Sequence, residues 1–213
     1  MRLLRPCFLS SFLFPGAVFR LKTREKQICL TFDDGPHPET TPEILQILKR
    51  HNIKAVFFCR GDTAERYPGL VQEIISEGHL TGNHGYSHLD GWKTPAGKYT
   101  DDVERASLFV PSVLFRPPYG RLTLKQDKTL VKKYKIVFWD LMPYDFDTKF
   151  GAGNSLRILK TKIRPGSVIV LHDSPRSSVI SFLGEFIEFA FNQGYSFVLP
   201  DEIPGNKPGL KNK

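Results

Sequence analysis

The stretch QICLTFDDGP, residues 27–36, runs from an apolar segment into two adjacent carboxylates and then into a Gly-Pro turn. Ile28 to Phe32 are apolar or β-branched without polar alternation, which reads as a buried strand. Asp33 and Asp34 follow at its end. Adjacent carboxylates raise each other's pKa, so a chain that keeps both ionised must place positive charge beside them.

The same pattern recurs outward from this point. Residues 41–52, TPEILQILKRHN, carry apolar side chains at helical spacing, with Thr41 expected as N-cap and Pro42 at the first helical position. KAVFFC (54–59) reads as a strand, and YPGLVQEIISEG (67–78) as a helix closed by Gly78. A short strand is expected to end at His84. Further strands are expected at 113–120, where the strand runs into a turn, and at 135–141 and 166–173, separated by helices at 99–110, 122–134, 154–163 and 179–194, and residues 196–203 end the fold. Alternating strands and helices argue a parallel α/β domain with right-handed crossovers. An open doubly wound sheet and a barrel both fit. In both, function gathers at the C-terminal ends of the strands. The polar residues fall there: Asp33, Asp34, His84, Arg116, Asp140, His172 and Asp173. That recurrence points to one active site.

The chain of 213 residues is long enough for one domain with a real core. The net charge of +8 favours anionic partners, but the Lys and Arg residues are scattered. No basic stripe is interleaved with aromatics, so nucleic acid is not an expected partner. Three widely spaced cysteines, Cys7, Cys29 and Cys59, make neither a disulfide framework nor a zinc motif. Cys29 and Cys59 read as small core residues. Residues 1–26 have a basic start and an apolar run broken by Pro6 and Pro15. They give no convincing cleavage site and no run for a stable membrane span, so a segment packed on the domain is expected ahead of a weak signal or anchor. Residues 27–204 form the expected domain and 205–213 a basic, flexible tail. Compartment stays open between cell envelope and cytoplasm.

HGYSH places His84 and His88 four residues apart, a spacing that can turn both imidazoles toward one ion. Two His and a carboxylate with an open position suit a catalytic zinc or related divalent site. A metal on one carboxylate lets both stay ionised and frees the other to act as general base. Arg116 adds a second positive charge, and His172 is a candidate general acid.

With TFDDGP, HGYSH, RPPYG and IVLHD in this order, the sequence resembles the polysaccharide deacetylases of the NodB-homology type, over roughly residues 27–200. These are metal-dependent carbohydrate esterases acting on N-acetylated amino-sugar polymers. The resemblance implies a distorted, often incomplete (β/α) barrel. It implies Asp33 as base, Asp34, His84 and His88 as metal ligands, and Arg116 as the partner of the base. It implies Tyr119 as a backbone oxyanion donor and Trp139 as a wall of the acetyl pocket. Asp145 would tune the catalytic His172, and Leu171 would meet the acetyl methyl. Zinc is the first expectation, with cobalt or nickel fitting the same ligands, and the partner is a glycan bearing acetylated amino sugars.

Two departures stand out. The family usually places Ser or Thr after the first metal His, where its hydroxyl braces the loop; here Gly85 stands there. Met142 precedes Pro143 and Phe146 follows Asp145, which alters the pocket edge. The same scaffold could serve an O-acetyl polysaccharide esterase, a cyclic-amide amidohydrolase or a non-catalytic glycan-binding relative. His37 reads as a loop residue and His51 as a helix-end residue, while His79 begins a strand after a Gly and is assigned no function. Trp92 reads as either a lid or a sugar-stacking surface. Asp173 reads as a possible structural acceptor of backbone N–H groups.

Overall fold

The apolar runs become strands whose C-terminal ends meet at one rim. A computed structural model of the chain describes residues 4–6 and 8–200. Cys7, residues 201–203 of the closing segment and the tail 205–213 lie outside them. In chain order the elements are α1 (Phe8–Leu13), β1 (Gln27–Asp33), α2 (Thr41–Arg50), β2 (Val56–Cys59), α3 (Gly61–Arg66), α4 (Pro68–Ser76) and β3 (Leu80–Asn83). They continue with α5 (Ala96–Ala106), β4 (Leu114–Phe115), α6 (Leu124–Leu130), β5 (Lys135–Ile136), α7 (Ala152–Lys162), β6 (Val168–His172), α8 (Leu183–Asn192) and β7 (Ser196–Phe197). The 3-10 turns Pro118–Gly120 and Val179–Ser181 lie between them.

The sheet order is β5-β4-β3-β2-β1-β6, with β7 also pairing β1, and every pair is parallel. In register, Asp33 lies level with Phe58 and with His172, and Asn83 with Cys59 and Phe115. This alignment brings the residues that follow each strand to a common rim.

The sheet curls, and irregular segments join its two edges. The N–H groups of Asp140 and Leu141 donate to the Val168 carbonyl at 2.9 and 3.1 Å, and the Val170 N–H donates to the Leu141 carbonyl at 3.0 Å. Residues 18–21 insert beside them. The Val18 N–H donates to Ile136 O at 2.9 Å, Phe138 N–H to Val18 O at 2.7 Å, and Leu21 N–H to Gly166 O at 2.8 Å. The result is a distorted, incomplete (β/α) barrel.

Two-residue periodicity divides each strand between two cores. Ile28, Leu30 and Phe32 of β1 face the helices with Ile169 and Leu171 of β6, against Ile44, Leu45 and Leu48 of α2 and Leu183 and Phe186 of α8. Cys29 of β1 joins Val56, Phe58 and Val168 in a second cluster inside the curl. Cys29 and Cys59 are both buried. Glycines in the left-handed region follow α4 and α8, at Gly78 and Gly194, where each helix was expected to close.

Thr41 differs from its expected capping role. It lies inside α2, Thr40 is the N-cap, and no side-chain cap bond forms. The Thr41 hydroxyl instead accepts from the His37 N–H at 2.7 Å and donates to Asp173 Oδ2 at 2.5 Å. Among the described residues, no helix is long and apolar enough to cross a membrane.

Candidate active site

Among the described residues, four of the five non-glycine residues with positive φ line one cleft: Asp34 (φ 76), His88 (φ 55), Tyr119 (φ 59) and Tyr144 (φ 63). Strained backbone of this kind persists where surrounding structure holds a functional geometry. The cleft, about 700 Å³, sits at the rim and is also lined by Asp33, His84, Trp139, Val170 and His172.

Asp34, His84 and His88 each offer one ligand atom, and these atoms lie within 4.8 Å of one another. Nδ1 of His84 lies 2.8 Å from the Arg116 carbonyl oxygen, which can only accept. Nδ1 therefore carries the proton, and Nε2 presents a lone pair. Burial pushes the His84 pKa down to about 4, which keeps that ring neutral. Asp34 Oδ1 lies 3.8 Å from His84 Nε2 and 3.2 Å from His88 Nε2, yet it is buried without a hydrogen bond of good geometry. Burial opposes its charge, but the His88 ring beside it, with His84 and His172, holds the carboxyl well below the usual range. A lone pair facing a carboxylate oxygen is unfavourable unless a cation lies between them. The donor set, two imidazoles and one carboxylate with room for another ligand, fits a divalent ion of the zinc type.

Asp33 stands beside this set with its two oxygens divided. Oδ1 accepts from Arg116 Nη1 at 2.6 Å, and Oδ2 lies 3.9 Å from His84 Nε2. Arg116 is fully buried, and each of its three guanidinium nitrogens is hydrogen-bonded. It donates to Thr31 Oγ1 (2.7 Å), Val137 O (3.2 Å) and Phe138 O (2.9 Å), and its guanidinium lies 4.0 Å over the Phe58 ring. Thr31 is an inward residue of β1, two before Asp33, and sequence reading missed it.

His172 closes the opposite wall. Asp145, fully buried, accepts from the His172 N–H at 2.7 Å, lies 3.0 Å from its Nδ1, and accepts from Ser177 Oγ at 2.6 Å. Burial works against the imidazolium, but the Asp145 carboxylate, with Asp34 and Asp33, raises the His172 pKa to about 9. Tyr119 stands at the rim. The N–H groups of Gly120 and Arg121 donate to Pro117 and Pro118 carbonyls, while the Tyr119 N–H has no partner among the described residues. Trp139 packs where a Cβ on Gly120 would overlap its ring.

Three expectations need correction. Leu171 does not face the cleft. It points to the helix side of β6 in the apolar core, whereas Val170, two residues before His172, shares the histidine's face and lines the cleft. Asp140 is not at the site: it accepts from Ser167 Oγ at 2.6 Å and Arg164 Nε at 3.0 Å, beside the start of β6. The missing hydroxyl at Gly85 leaves no unbraced loop. Asp102 of α5 accepts from the Tyr86 N–H at 2.8 Å and the Ser87 N–H at 3.1 Å, and Asn83 Oδ1 accepts from the Gly85 N–H at 2.8 Å. Gly85 has φ +72, and a Cβ there would lie 3.1 Å from Asp102 Oδ2.

Asp173 is structural, but its donors are hydroxyls. Thr40 Oγ1 and Thr41 Oγ1 each donate to it at 2.5 Å. Burial raises its pKa to about 6. His79 is buried, with Nδ1 accepting from the Ala55 N–H at 3.1 Å.

Fold and site together are those of a barrel hydrolase. The family model for polysaccharide deacetylases matches residues 20–138, more than half of the chain, and the protein belongs to that family. A Bacillus cereus protein named peptidoglycan-N-acetylglucosamine deacetylase is 37% identical over 157 residues, covering 70% of this chain and 56% of its own length. A second Bacillus cereus protein of the same name is 31% identical over 195 residues, covering 87% and 91%. The crystal structure of the Bc1960 peptidoglycan N-acetylglucosamine deacetylase, solved with an N-hydroxybenzamide ligand, superimposes with a TM-score of 0.85 at 30% identity. It covers 92% of this chain and 96% of that one.

Proposed function

We propose that this protein is a metal-dependent hydrolase that removes acetyl groups from N-acetylated amino-sugar glycans of the peptidoglycan or chitooligosaccharide kind. The observation that carries this reading is the Asp34–His84–His88 set flanked in one cleft by the Arg116-held Asp33 and the Asp145-held His172. The names of the relatives supply the substrate class. The catalytic unit in this reading is residues 27–204.

Asp34, His84 and His88 hold the ion, zinc first, with cobalt or nickel suited to the same donors. When bound, the ion supplies Lewis-acid charge at the acetyl carbonyl. Asp33, steadied by Arg116, accepts a proton from water through Oδ2 as the water oxygen bonds to the acyl carbon. The Tyr119 N–H donates to the oxygen that gains negative charge. His172, charged through Asp145, gives its proton to the nitrogen as the C–N bond breaks. Acetate and a free amine leave. Trp139 and Val170 wall the acetyl group. No covalent enzyme intermediate is needed.

The test is acetate release from N-acetylglucosamine oligomers and from peptidoglycan, with chelator, with zinc or cobalt restored, and beside Asp33→Asn. Chelator-sensitive release that Asp33→Asn abolishes supports the reading. Absence of release from either glycan by metal-loaded protein sinks it and turns attention to acetyl esters.

A further inference from the structure

A line of stacked groups leads away from the ligand set. The His88 and Tyr119 rings meet edge-on with centroids 4.5 Å apart. The Arg121 guanidinium lies 5.7 Å from the centre of the Tyr119 ring and 5.1 Å from that of Trp92. Asp90 anchors the far end. It forms an ion pair with Arg121 and accepts the Trp92 N–H at 3.0 Å, so one carboxylate fixes both the guanidinium and the tryptophan backbone.

The loop that carries Trp92 is rigidly held. Gln126 is fully buried, and its Nε2 donates to Gly91 O at 2.9 Å and to Thr94 O at 3.2 Å. A Cβ on Gly91 would strike the Arg121 carbonyl, so the two backbones touch. Yet Trp92 is 66% exposed and Tyr119 60% exposed. The fold thus orders two large aromatic rings and leaves their faces to solvent. Tyr119 and Arg121 line the catalytic cleft, and Trp92 continues that surface beyond it.

We propose that Trp92, with Arg121 and Tyr119, forms a second carbohydrate subsite that receives the sugar adjoining the acetylated one. The substrate is then an oligomeric glycan rather than a single amino sugar. The inference rests on the glycan-deacetylase reading. A pyranose ring presents an apolar C–H face that covers an indole, while its hydroxyls point outward. The Arg121 N–H groups can donate to those hydroxyls, and the pre-ordered rings lose little freedom on binding.

The test measures binding apart from turnover. Zinc-loaded Asp33→Asn protein is titrated calorimetrically with the monomer and the pentamer of N-acetylglucosamine. The measurement is repeated with Trp92→Ala and with Trp92→Tyr added. Because Trp92 is mostly exposed, truncation leaves no cavity. The pentamer should bind more tightly than the monomer. Trp92→Ala should weaken pentamer binding about three- to tenfold and bring the pentamer-to-monomer ratio toward one. Trp92→Tyr should restore most of the ratio. An unchanged ratio in Trp92→Ala overturns the subsite even if acetate is released. Trp92-dependent binding without acetate release by the Asp33-intact protein upholds the subsite and strikes the deacetylase reading instead. Zinc-loaded protein that binds neither sugar removes both.

Discussion

Arg116 Nη1 lies 2.6 Å from Asp33 Oδ1, and both side chains are almost fully withdrawn from solvent. Such a pair is weak as a source of net stability, because desolvation offsets much of the attraction. It is strong as a constraint, because breaking it strands a buried charge. The constraint fixes which Asp33 oxygen is held by Arg116 and which is left toward His84.

Arg116→Leu should therefore lower stability by about 3–5 kcal/mol, seen as a lower urea midpoint. Asp33→Asn keeps an oxygen for Arg116 to bond but removes the proposed base. It should reduce the rate by about 10²–10⁴-fold with a much smaller midpoint shift. Equal midpoint losses in the two variants would refute the division of labour.

The bracing of the HGYSH loop by Asp102 gives a second prediction. Gly85→Ser supplies the hydroxyl that the family usually has, yet here it should harm. The residue must hold φ +72, and its Cβ would press on Asp102 Oδ2 at 3.1 Å. A cost of about 1–2 kcal/mol is expected for a left-handed non-glycine residue. Asp102→Ala frees the Tyr86 and Ser87 N–H groups and should weaken zinc affinity about 10–100-fold, measured by calorimetry. Gain of affinity in Gly85→Ser would show that the missing hydroxyl limits the site after all.

The Asp145–His172 pair predicts a pH dependence. Burial opposes the imidazolium, but Asp145 and the other carboxylates raise the folded pKa to about 9, above the ordinary value of 6.5. The folded state therefore binds the extra proton more tightly than the unfolded chain. The stabilisation is fully present below about pH 6.5 and is lost as pH rises through about 9. Metal-free protein titrated by imidazole NMR should show His172 changing charge near pH 9. In Asp145→Asn the transition should fall below 6.5, since burial then acts without the neighbouring carboxylate, and the alkaline decline in stability should disappear. A transition that stays near 9 in Asp145→Asn would reassign the cause to Asp34 and Asp33.

Much of this arrangement is legible in the chain. Apolar runs ending in Asp, His or Arg mark the rim because parallel strands deliver their C-terminal ends to one side. Gly78 and Gly194 mark helix ends because left-handed backbone favours glycine. What escapes local reading depends on partners far along the chain. The ladder of β5 stops at Ile136, although the apolar run continues to Leu141. Phe138 turns to Val18, and Leu141 to the edge of β6. Asp140 looks like another rim carboxylate until that turn carries it to Arg164 and Ser167. Asp102 gives no signal of its role, since it braces residues 15 and 16 positions earlier from a helix. Val170 is legible in principle: period two places it on the His172 face and Leu171 on the other, whereas the position-by-position family resemblance points to Leu171.

That last distinction separates packing from substrate contact in two neighbouring residues. Leu171 is fully buried among the helix-facing apolar residues, so Leu171→Ala should cost about 2–5 kcal/mol and lower the melting midpoint. Below the new melting range its KM for an acetylated oligomer should stay near wild type, because the lost methyls never face the cleft. Val170 lines the cleft beside His172, where the acetyl group of the proposed substrate would lie. Val170→Phe should fill it and cut kcat/KM sharply. Zinc affinity should be preserved, because Asp34, His84 and His88 sit on other elements. Steady-state kinetics and calorimetric zinc binding on both variants decide the matter. A KM rise confined to Leu171→Ala, with Val170→Phe active, would return the acetyl contact to Leu171.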